Sequence, residues 1–309
     1  MRIIISEFMD DAAVASLATQ FNIVYEQDLA DRRDALTSLL AGADALIVRN
    51  RTQVDAGLLA AAPRLRVVGR LGVGLDNIDT AACAARDIEV IPATGANALA
   101  VAEYVIGTAM LLLRGTYQSS DAVGAGKWPR GPLSNGREIA GKTLGLIGFG
   151  GIGRLAATLA RGLRMRVIAF DPQVSASSPL WGEHGALGVT LDTVIAQSDV
   201  LSLHVPLSEA TRHLIGAPQL ARMKPDAILI NTARGGVVDE EAVAAALRGG
   251  TLGGAALDVF DAEPLPAGSP LAGCPNLLLT PHIAGVTRES NVRVSSMIAD
   301  AVARALQSH

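Results

Sequence analysis

Cysteine is scarce in this chain of 309 residues, and its two thiols, Cys83 and Cys274, match no metal-ligand spacing. We interpret both as free thiols of a reducing compartment, and we predict no metal site. Aromatic residues are few as well, with five Phe, three Tyr and two Trp. The interior must therefore be built mainly from Ala, Val, Leu and Ile.

Runs of basic residues and long apolar runs are also missing. A formal charge of −4 without a lysine or arginine cluster argues against a nucleic-acid or membrane-surface partner. No apolar run approaches the roughly 18 residues of a membrane span, and Glu7 comes too early for the apolar core of a signal peptide. We expect a cytoplasmic protein whose partners are small molecules.

Half of the residues are apolar, which excludes a disordered chain, and short apolar runs alternate with Ala/Leu-rich stretches. The runs are nearly all apolar rather than alternating, as in strands of a parallel sheet buried on both faces. Helical stretches between them predict βαβ units and an α/β fold. The ten predicted strands cover residues 2–6, 45–49, 66–70, 88–92, 143–147, 166–170, 200–204, 227–231, 254–258 and 276–280.

The alternation pauses at one long Ala/Leu/Val-rich segment, from Leu99 to about Gly124, which we predict to be a helix of several turns. Because new strands begin after it, we expect it to connect two α/β units. The boundary between two domains is placed near residue 98.

A glycine-rich turn follows the fifth predicted strand, with the sequence Gly148-Phe149-Gly150-Gly151-Ile152-Gly153. Its glycines permit a tight turn, the approach of a pyrophosphate to the backbone, and close packing of helix on strand. Such a pattern alone is often only a turn. Here the next strand ends in Asp171, 18 residues beyond Gly153, where a carboxylate can accept both ribose hydroxyls. We predict a dinucleotide site.

Asp171 also favours NAD over NADP, because a carboxylate repels a 2′-phosphate. From Pro172 to Ala210 the chain has no lysine or arginine that could bind such a phosphate.

Three further segments end strands of the same half and carry Arg234, Glu263 and His282. The carboxyl ends of strands in open α/β sheets face the ligand crevice, so these side chains can converge beside a nicotinamide. A histidine can move the proton that hydride transfer to a 2-oxo carbon requires, and an arginine can bind the substrate carboxylate through two hydrogen bonds. A glutamate behind the histidine would fix its tautomer and favour its protonated form. Each residue taken alone also has a purely structural interpretation.

These segments, together with the glycine turn and the stretch from Gly72 to Asp79, resemble the D-isomer-specific 2-hydroxyacid dehydrogenase family, especially its phosphoglycerate dehydrogenase branch. The resemblance implies two Rossmann-like doubly wound parallel-sheet domains with a cleft between them. The substrate-binding domain would comprise residues 1–98 and 285–309, and the NAD-binding domain residues 99–284.

By position in the family's motifs, Arg234 matches the carboxylate-binding arginine, Glu263 the histidine-orienting glutamate and His282 the acid/base. Further cofactor contacts are implied at His204, Thr232, Ala233 and Asp258, the last near the nicotinamide carboxamide. The amides of Val73 and Gly74 would bind the substrate carboxylate, unless this stretch is an ordinary glycine turn.

Arg49 and Arg70 end two predicted strands in the first half of the chain, with Arg51 close behind Arg49. If Arg49 and Arg70 face the substrate, the site holds more positive charge than a monoanion requires. That excess predicts a phosphate or sulfonate on carbon 3 of the substrate. The alternative is that Arg49 and Arg51 lie at a solvated surface.

We therefore predict an NAD-dependent dehydrogenase for a 3-phosphoglycerate-like or 3-sulfolactate-like D-2-hydroxy acid. The opening residues 5–10 and residues 283–288 are similar to sulfolactate dehydrogenases of the family, although Val286 departs from its usual pattern. Alternatives are a glyoxylate/hydroxypyruvate reductase and, in another class, an NAD-sensing corepressor-type binding module. By analogy with the family we expect a homodimer formed through the long helix and the segment around Trp128, unless Trp128 packs inside its own subunit.

Overall fold

The computed structural model of the chain describes residues 1–115, 117 and 119–308. It divides into two compact units, which we call unit 1 (Met1–Asn97 with Val286–His309) and unit 2 (Ala98–Gly285). The divisions fall one residue from the predicted boundaries. The substrate-binding and NAD-binding roles of the two units stay predictions.

Each unit is built on one sheet. Over the described residues the strands are β1 (Arg2–Ile5), β2 (Asn22–Tyr25), β3 (Ala45–Val48), β4 (Val67–Arg70), β5 (Glu89–Pro92), β6 (Thr143–Ile147), β7 (Arg166–Phe170), β8 (Ala186–Gly188), β9 (Val200–Leu203), β10 (Ile228–Asn231), β11 (Gly254–Leu257) and β12 (Leu277–Leu279).

The helices surround these sheets. In the described part of the chain they are α1 (Asp11–Ala18), α2 (Arg33–Leu40), α3 (Ala56–Ala60), α4 (Thr80–Ala84), α5 (Ala98–Arg114), α6 (Ser120–Gly124), α7 (Arg130–Leu133), α8 (Gly151–Gly162), α9 (Leu180–Glu183), α10 (Leu191–Gln197), α11 (Ala217–Leu220), α12 (Glu240–Arg248) and α13 (Arg288–Gln307).

All strand pairs are parallel, and the orders are β2-β1-β3-β4-β5 in unit 1 and β12-β11-β10-β9-β6-β7-β8 in unit 2. The predicted α/β class with two parallel sheets is confirmed. The central strands β3, β6, β9, β10 and β11 are buried along their whole length, which explains their continuous apolar runs.

Two strands, β2 and β8, were not predicted. Both are edge strands and both are partly exposed. The apolar run of β2 is only three residues long, from Ile23 to Tyr25, and β8 is a three-residue strand that ends in glycine.

The long connecting helix was predicted to reach Gly124, and that prediction is wrong. Helix α5 ends at Arg114, because Gly115 adopts a left-handed conformation with φ 64° and donates its N–H to the carbonyl of Leu111. A separate short helix, α6, follows at Ser120.

None of the helices in the described ranges is long and apolar enough to cross a membrane. The cytoplasmic location expected from the sequence stays a prediction.

Candidate active site

The glycine-rich turn joins β6 to α8 in unit 2. Gly148 has φ 95°, and a Cβ atom there would lie 2.3 Å from the carbonyl oxygen of His204. A Cβ atom on Gly153 would lie 2.4 Å from the carbonyl oxygen of Gly148, so the third glycine lets α8 pack on the turn. Gly150 and Gly151 face open space.

Helix α8 starts at Gly151, and its N-cap residue, Gly150, has no side chain to cap the first N–H groups. These groups and the positive end of the helix dipole suit a pyrophosphate. The side chain of Phe149 is fully buried against Trp181, with ring centroids 4.7 Å apart, and this contact anchors the turn. Ile152 belongs to the first turn of the helix.

Asp171 lies directly after β7, beside the turn. Its Oδ2 accepts the N–H of Phe149 at 2.7 Å and its Oδ1 accepts the N–H of Gln173 at 2.8 Å. These bonds hold the carboxylate at the mouth of the glycine turn, where it was predicted to bind the adenosine ribose.

The loop after β10 carries Thr232, Ala233 and Arg234. The side-chain oxygen of Asn231 accepts the N–H of Ala233 at 3.0 Å, and its amide nitrogen donates to the carbonyl of Arg234 at 3.0 Å. The hydroxyl oxygen of Thr232 is buried and finds no hydrogen-bond partner among the described residues. An orphaned hydroxyl at the same edge of the sheet as an open glycine turn fits a bound dinucleotide, so the residues present fit NAD.

His282 and Glu263 meet at the carboxyl end of the same sheet. His282 Nδ1 lies 2.8 Å from Glu263 Oε2, and the other carboxylate oxygen accepts the N–H of Phe260 at 3.1 Å. The side chains are 41% and 36% exposed. With Nδ1 bonded to the carboxylate, Nε2 is the ring nitrogen that can exchange a proton with a ligand.

Asp258 was predicted to contact the nicotinamide carboxamide, but its carboxylate is 1% exposed and holds the His282 loop. Its Oδ1 accepts the Thr280 hydroxyl at 2.6 Å and the N–H of Ile283 at 2.8 Å, and its Oδ2 accepts the N–H of Ala284 at 2.8 Å. The observed hydrogen bonds of Asp258 are thus structural, and its contact with the cofactor stays a prediction.

His204 follows β9, and its Nε2 lies 3.0 Å from the Ser202 hydroxyl. Burial lowers the pKa of His204 to about 4, so the ring is neutral at physiological pH. Its backbone borders the glycine turn through the close approach of its carbonyl to Gly148. It is placed beside the predicted cofactor site as an uncharged group.

In unit 1, Arg70 ends β4 and folds over the turn that follows. Its Nε donates to the carbonyl of Gly74 at 2.9 Å and its Nη1 to the carbonyl of Leu71 at 2.8 Å. No described residue accepts a hydrogen bond from the N–H of Val73 or of Gly74. Two adjacent N–H groups without an acceptor can bind an anion.

Arg49 follows β3, and its guanidinium is half-buried. It donates to Asn291 Oδ1 of α13 at 2.8 Å and lies over the ring of Phe8, with 5.8 Å between Cζ and the ring centroid. Burial lowers the pKa of Arg49, while the nearby Glu7 carboxylate raises it. Arg51, in contrast, forms an exposed ion pair with Asp31.

Sequence reasoning missed Glu7, which is 3% exposed and accepts the N–H groups of Arg49, Arg51 and Thr52. It also missed Asn291. The position of Glu7 directly after the first predicted strand was a signal in the sequence. Asn291 lies 242 positions from Arg49, and no sequence signal connects the two.

Comparison with known proteins gives a consistent picture. Residues 106–284 match the family model described as D-isomer specific 2-hydroxyacid dehydrogenase, NAD binding domain. The (S)-sulfolactate dehydrogenase of Chromohalobacter salexigens is 55% identical over 304 residues, 98% of each chain.

The D-3-phosphoglycerate dehydrogenase of Archaeoglobus fulgidus is 37% identical over 300 residues, which are 97% of this chain and 56% of that protein. This chain therefore spans little more than half of that relative. A crystal structure of a protein from Thermus thermophilus superposes with a TM-score of 0.91 at 31% identity, covering 100% of this chain and 98% of the other.

Proposed function

Because the chain belongs to the D-isomer specific 2-hydroxyacid dehydrogenase family of NAD-dependent oxidoreductases, we propose that its substrate is a D-configured 2-hydroxy acid with a second anionic group on carbon 3. A sulfonate, as in 3-sulfolactate, is favoured by the 55% identity to a sulfolactate dehydrogenase. The (S) descriptor of that relative's substrate agrees with the D arrangement, because sulfur on carbon 3 outranks the carboxylate in the naming rules.

The observation that carries this proposal is the half-buried guanidinium of Arg49. Its contacts with the neutral groups of Asn291 and Phe8 hold it in one orientation. The nearby Glu7 carboxylate accepts backbone N–H groups, which leaves guanidinium N–H groups for an anion. A sulfonate or phosphate oxygen can accept its N–H groups in the bidentate geometry that arginine favours. A substrate without a second anion makes no use of this group.

Arg70 was also predicted to bind the second anion, but its guanidinium donates to the carbonyls of Leu71 and Gly74. We therefore assign it a different task, which is to hold the turn so that the N–H groups of Val73 and Gly74 bind the carboxylate common to all 2-oxo acids. Arg234 keeps the carboxylate-binding role that the family's motifs imply.

In the direction of reduction, NADH held by the glycine turn would supply a hydride for the 2-oxo carbon. His282 donates the proton to the oxygen from Nε2. The Glu263 carboxylate accepts the Nδ1 proton, which orients the ring and fixes the tautomer of the neutral ring after transfer. One hydride and one proton convert the 2-oxo acid to the 2-hydroxy acid, and the histidine is reprotonated from solvent.

The test compares kcat/KM for sulfopyruvate, phosphohydroxypyruvate, hydroxypyruvate and glyoxylate in the wild type and in Arg49→Gln. Removing the partner of a bound anion costs about 2 to 4 kcal/mol, so kcat/KM for sulfopyruvate should fall about 30- to 1000-fold. The value for glyoxylate should change by less than about threefold, since it has no second anion.

Arg51→Gln is the matched control, because Arg51 is a cation of the same segment whose partner is the exposed Asp31. Its kinetics should remain those of the wild type. Arg70→Gln should instead lower kcat/KM for sulfopyruvate and for glyoxylate by the same factor. If Arg49→Gln lowers kcat/KM equally for sulfopyruvate and glyoxylate, Arg49 does not bind a second anionic group of the substrate. The alternative of a glyoxylate/hydroxypyruvate reductase would then be favoured.

A further inference from the structure

A short chain of hydroxyl groups connects α5 to the loop that carries His282. The Tyr104 hydroxyl lies 2.6 Å from the Thr280 hydroxyl, which donates to Asp258 Oδ1, also at 2.6 Å. A threonine hydroxyl has a single proton, and here it goes to the carboxylate. Tyr104 must therefore be the donor to Thr280.

The Asp258 carboxylate at the end of this chain shapes the backbone around His282. It accepts the N–H groups of Ile283 and Ala284, which directly follow the histidine. The N–H of His282 itself donates to the carbonyls of Asp258 and Thr280, at 2.8 and 3.0 Å. His282 adopts φ 56°, a left-handed conformation that residues other than glycine seldom occupy. The surrounding hydrogen bonds hold the histidine in it.

The imidazole has little else to fix its direction. It is 41% exposed, and its observed side-chain hydrogen bond goes to Glu263, which is itself 36% exposed. The direction in which Nε2 points therefore depends on the backbone turn. That turn depends in part on the orientation of the Asp258 carboxylate.

We propose that Tyr104 and Thr280 are positioning residues for the acid/base histidine. Their hydroxyls fix the Asp258 carboxylate, and the carboxylate holds the His282 turn so that Nε2 reaches the substrate oxygen. This inference rests on the proposed function only through the role of His282, and it is independent of which 2-oxo acid is the substrate.

The donor role of Tyr104 holds over the working pH range. Burial, with a contribution from the nearby Asp258 carboxylate, raises the pKa of the phenol, whereas its hydrogen bond with Thr280 acts the other way. Tyr104 therefore keeps its proton well above neutral pH and can supply the first hydrogen bond of the chain.

Tyr104→Phe removes one oxygen atom and Thr280→Val replaces the hydroxyl with a methyl group. A small misplacement of a catalytic group slows proton transfer strongly, so each variant should lower kcat about tenfold or more while the Kd for NADH stays within about twofold. The double variant should lose no more than Thr280→Val alone, because the two hydroxyls act in series. Thr280→Ser, which keeps the hydroxyl, should recover most of the activity that Thr280→Val loses.

Tyr117→Phe is the matched control. The Tyr117 hydroxyl donates to Asn276 Oδ1 at 2.6 Å, just before β12, whereas Thr280 lies just after this strand. Removing that hydroxyl should lower the thermal unfolding midpoint about as much as Tyr104→Phe does, with kcat unchanged.

The primary deuterium isotope effect on kcat, measured with C4-deuterated NADH, separates positioning from general destabilisation. Slower chemistry in Tyr104→Phe should increase the observed effect, whereas partial unfolding would lower the active fraction and leave it unchanged. Wild-type kcat and isotope effect in both Tyr104→Phe and Thr280→Val would overturn the proposal.

The same assays are run with glyoxylate and with sulfopyruvate. Because both substrates take the proton from His282, Tyr104→Phe should lower kcat for the reduction of both by the same factor. Failure of the wild type to reduce sulfopyruvate would count against the proposed substrate and leave the glyoxylate test of Tyr104 intact.

Discussion

At the residue scale, the proposed function gives His282 and Glu263 one catalytic task. In it His282 exchanges the proton through Nε2, while Glu263 faces the opposite ring nitrogen at 2.8 Å. His282→Ala should lower kcat by roughly 10² to 10⁴, the usual loss on removal of a general acid/base. Glu263→Gln removes the negative charge behind the ring and weakens the hydrogen bond that orients the imidazole, so kcat should fall about tenfold or more.

Glu240→Gln is the control for this loss, since the Glu240 carboxylate also bonds to the backbone of this loop, at the N–H of Asp261. Its kcat should match that of the wild type, and the affinity for NADH should be unchanged in both variants. A Glu263→Gln enzyme with wild-type kcat would exclude the assigned role of the glutamate.

His204 gives a stability prediction. Its pKa is about 4 in the folded protein because of burial, and about 6.5 for an unperturbed histidine. Between these two values the unfolded chain binds a proton that the folded chain does not, so the free energy of unfolding falls as the pH is lowered through this window. The expected loss is about 2 to 4 kcal/mol.

Urea unfolding at pH 7 and pH 4.5 measures this loss. The wild type should lose stability, and His204→Gln, which does not titrate, should lose much less. Equal losses in the two proteins would assign the pH dependence to other groups.

How much of the candidate site could be predicted depended on how local the signal of each residue was. Arg234, Glu263 and His282 each lie in a motif at a strand end, and their proposed roles rest on that position. The hydrogen bond between Tyr104 and Thr280 joins residues that are 176 positions apart. It depends on the packing of α5, which no local sequence pattern encodes. For the same reason the sequence placed Asp258 beside the cofactor and gave no sign that its carboxylate is enclosed by the His282 loop.

At the element scale, the glycine turn between β6 and α8 combines two different requirements. Gly153→Ala places a Cβ atom 2.4 Å from the carbonyl oxygen of Gly148, so it should reduce the stability of the protein by about 1 to 3 kcal/mol. Gly150 has φ −74° and ψ −161°, which alanine can adopt, and faces open space. Gly150→Ala should leave the free energy of unfolding unchanged within about 0.5 kcal/mol. It should weaken the binding of NADH about tenfold or more, because the added methyl group blocks the pyrophosphate.

Chemical denaturation and NADH fluorescence titration of the two variants test this division. Gly182→Ala, in α9 with open space around it, is a control for the effect of an added methyl group on a helix of unit 2. Undiminished NADH affinity in Gly150→Ala would mean that the pyrophosphate does not approach this glycine.

Ten of the twelve described strands were predictable from their apolar runs, with ends within about one residue of the predicted ones. The buried central strands must be apolar throughout. The edge strands β5 and β12 are partly exposed but still carry such runs, whereas the edge strands β2 and β8 were missed. The end of α5 depended on the backbone conformation of Gly115, and the predicted helix continued past it.

At the scale of the whole molecule, unit 2 carries an apolar surface that its described residues leave partly exposed. Leu99, Ile106 and Met110 recur at helical spacing on α5, and Leu155 and Leu159 do so on α8. A groove between these helices is lined by Glu103, Ile106, Gly107, Leu159, Gly162 and Leu163. Trp128 is 78% exposed, so the alternative that it packs inside its own subunit is wrong.

An exposed apolar face of this kind usually marks a contact with another chain, and a second copy with the same face can pair with it about a two-fold axis. We therefore predict a homodimer through α5, α8 and the segment around Trp128. Light scattering at micromolar concentration should give twice the mass of the chain.

Met110→Glu, which places a charge within the apolar face, should shift the equilibrium from dimer to monomer. Leu187→Glu is the matched control, since Leu187 is equally apolar and 54% exposed but lies on the edge strand β8. A monomeric wild type, or equal dissociation by both substitutions, would exclude this face as the interface.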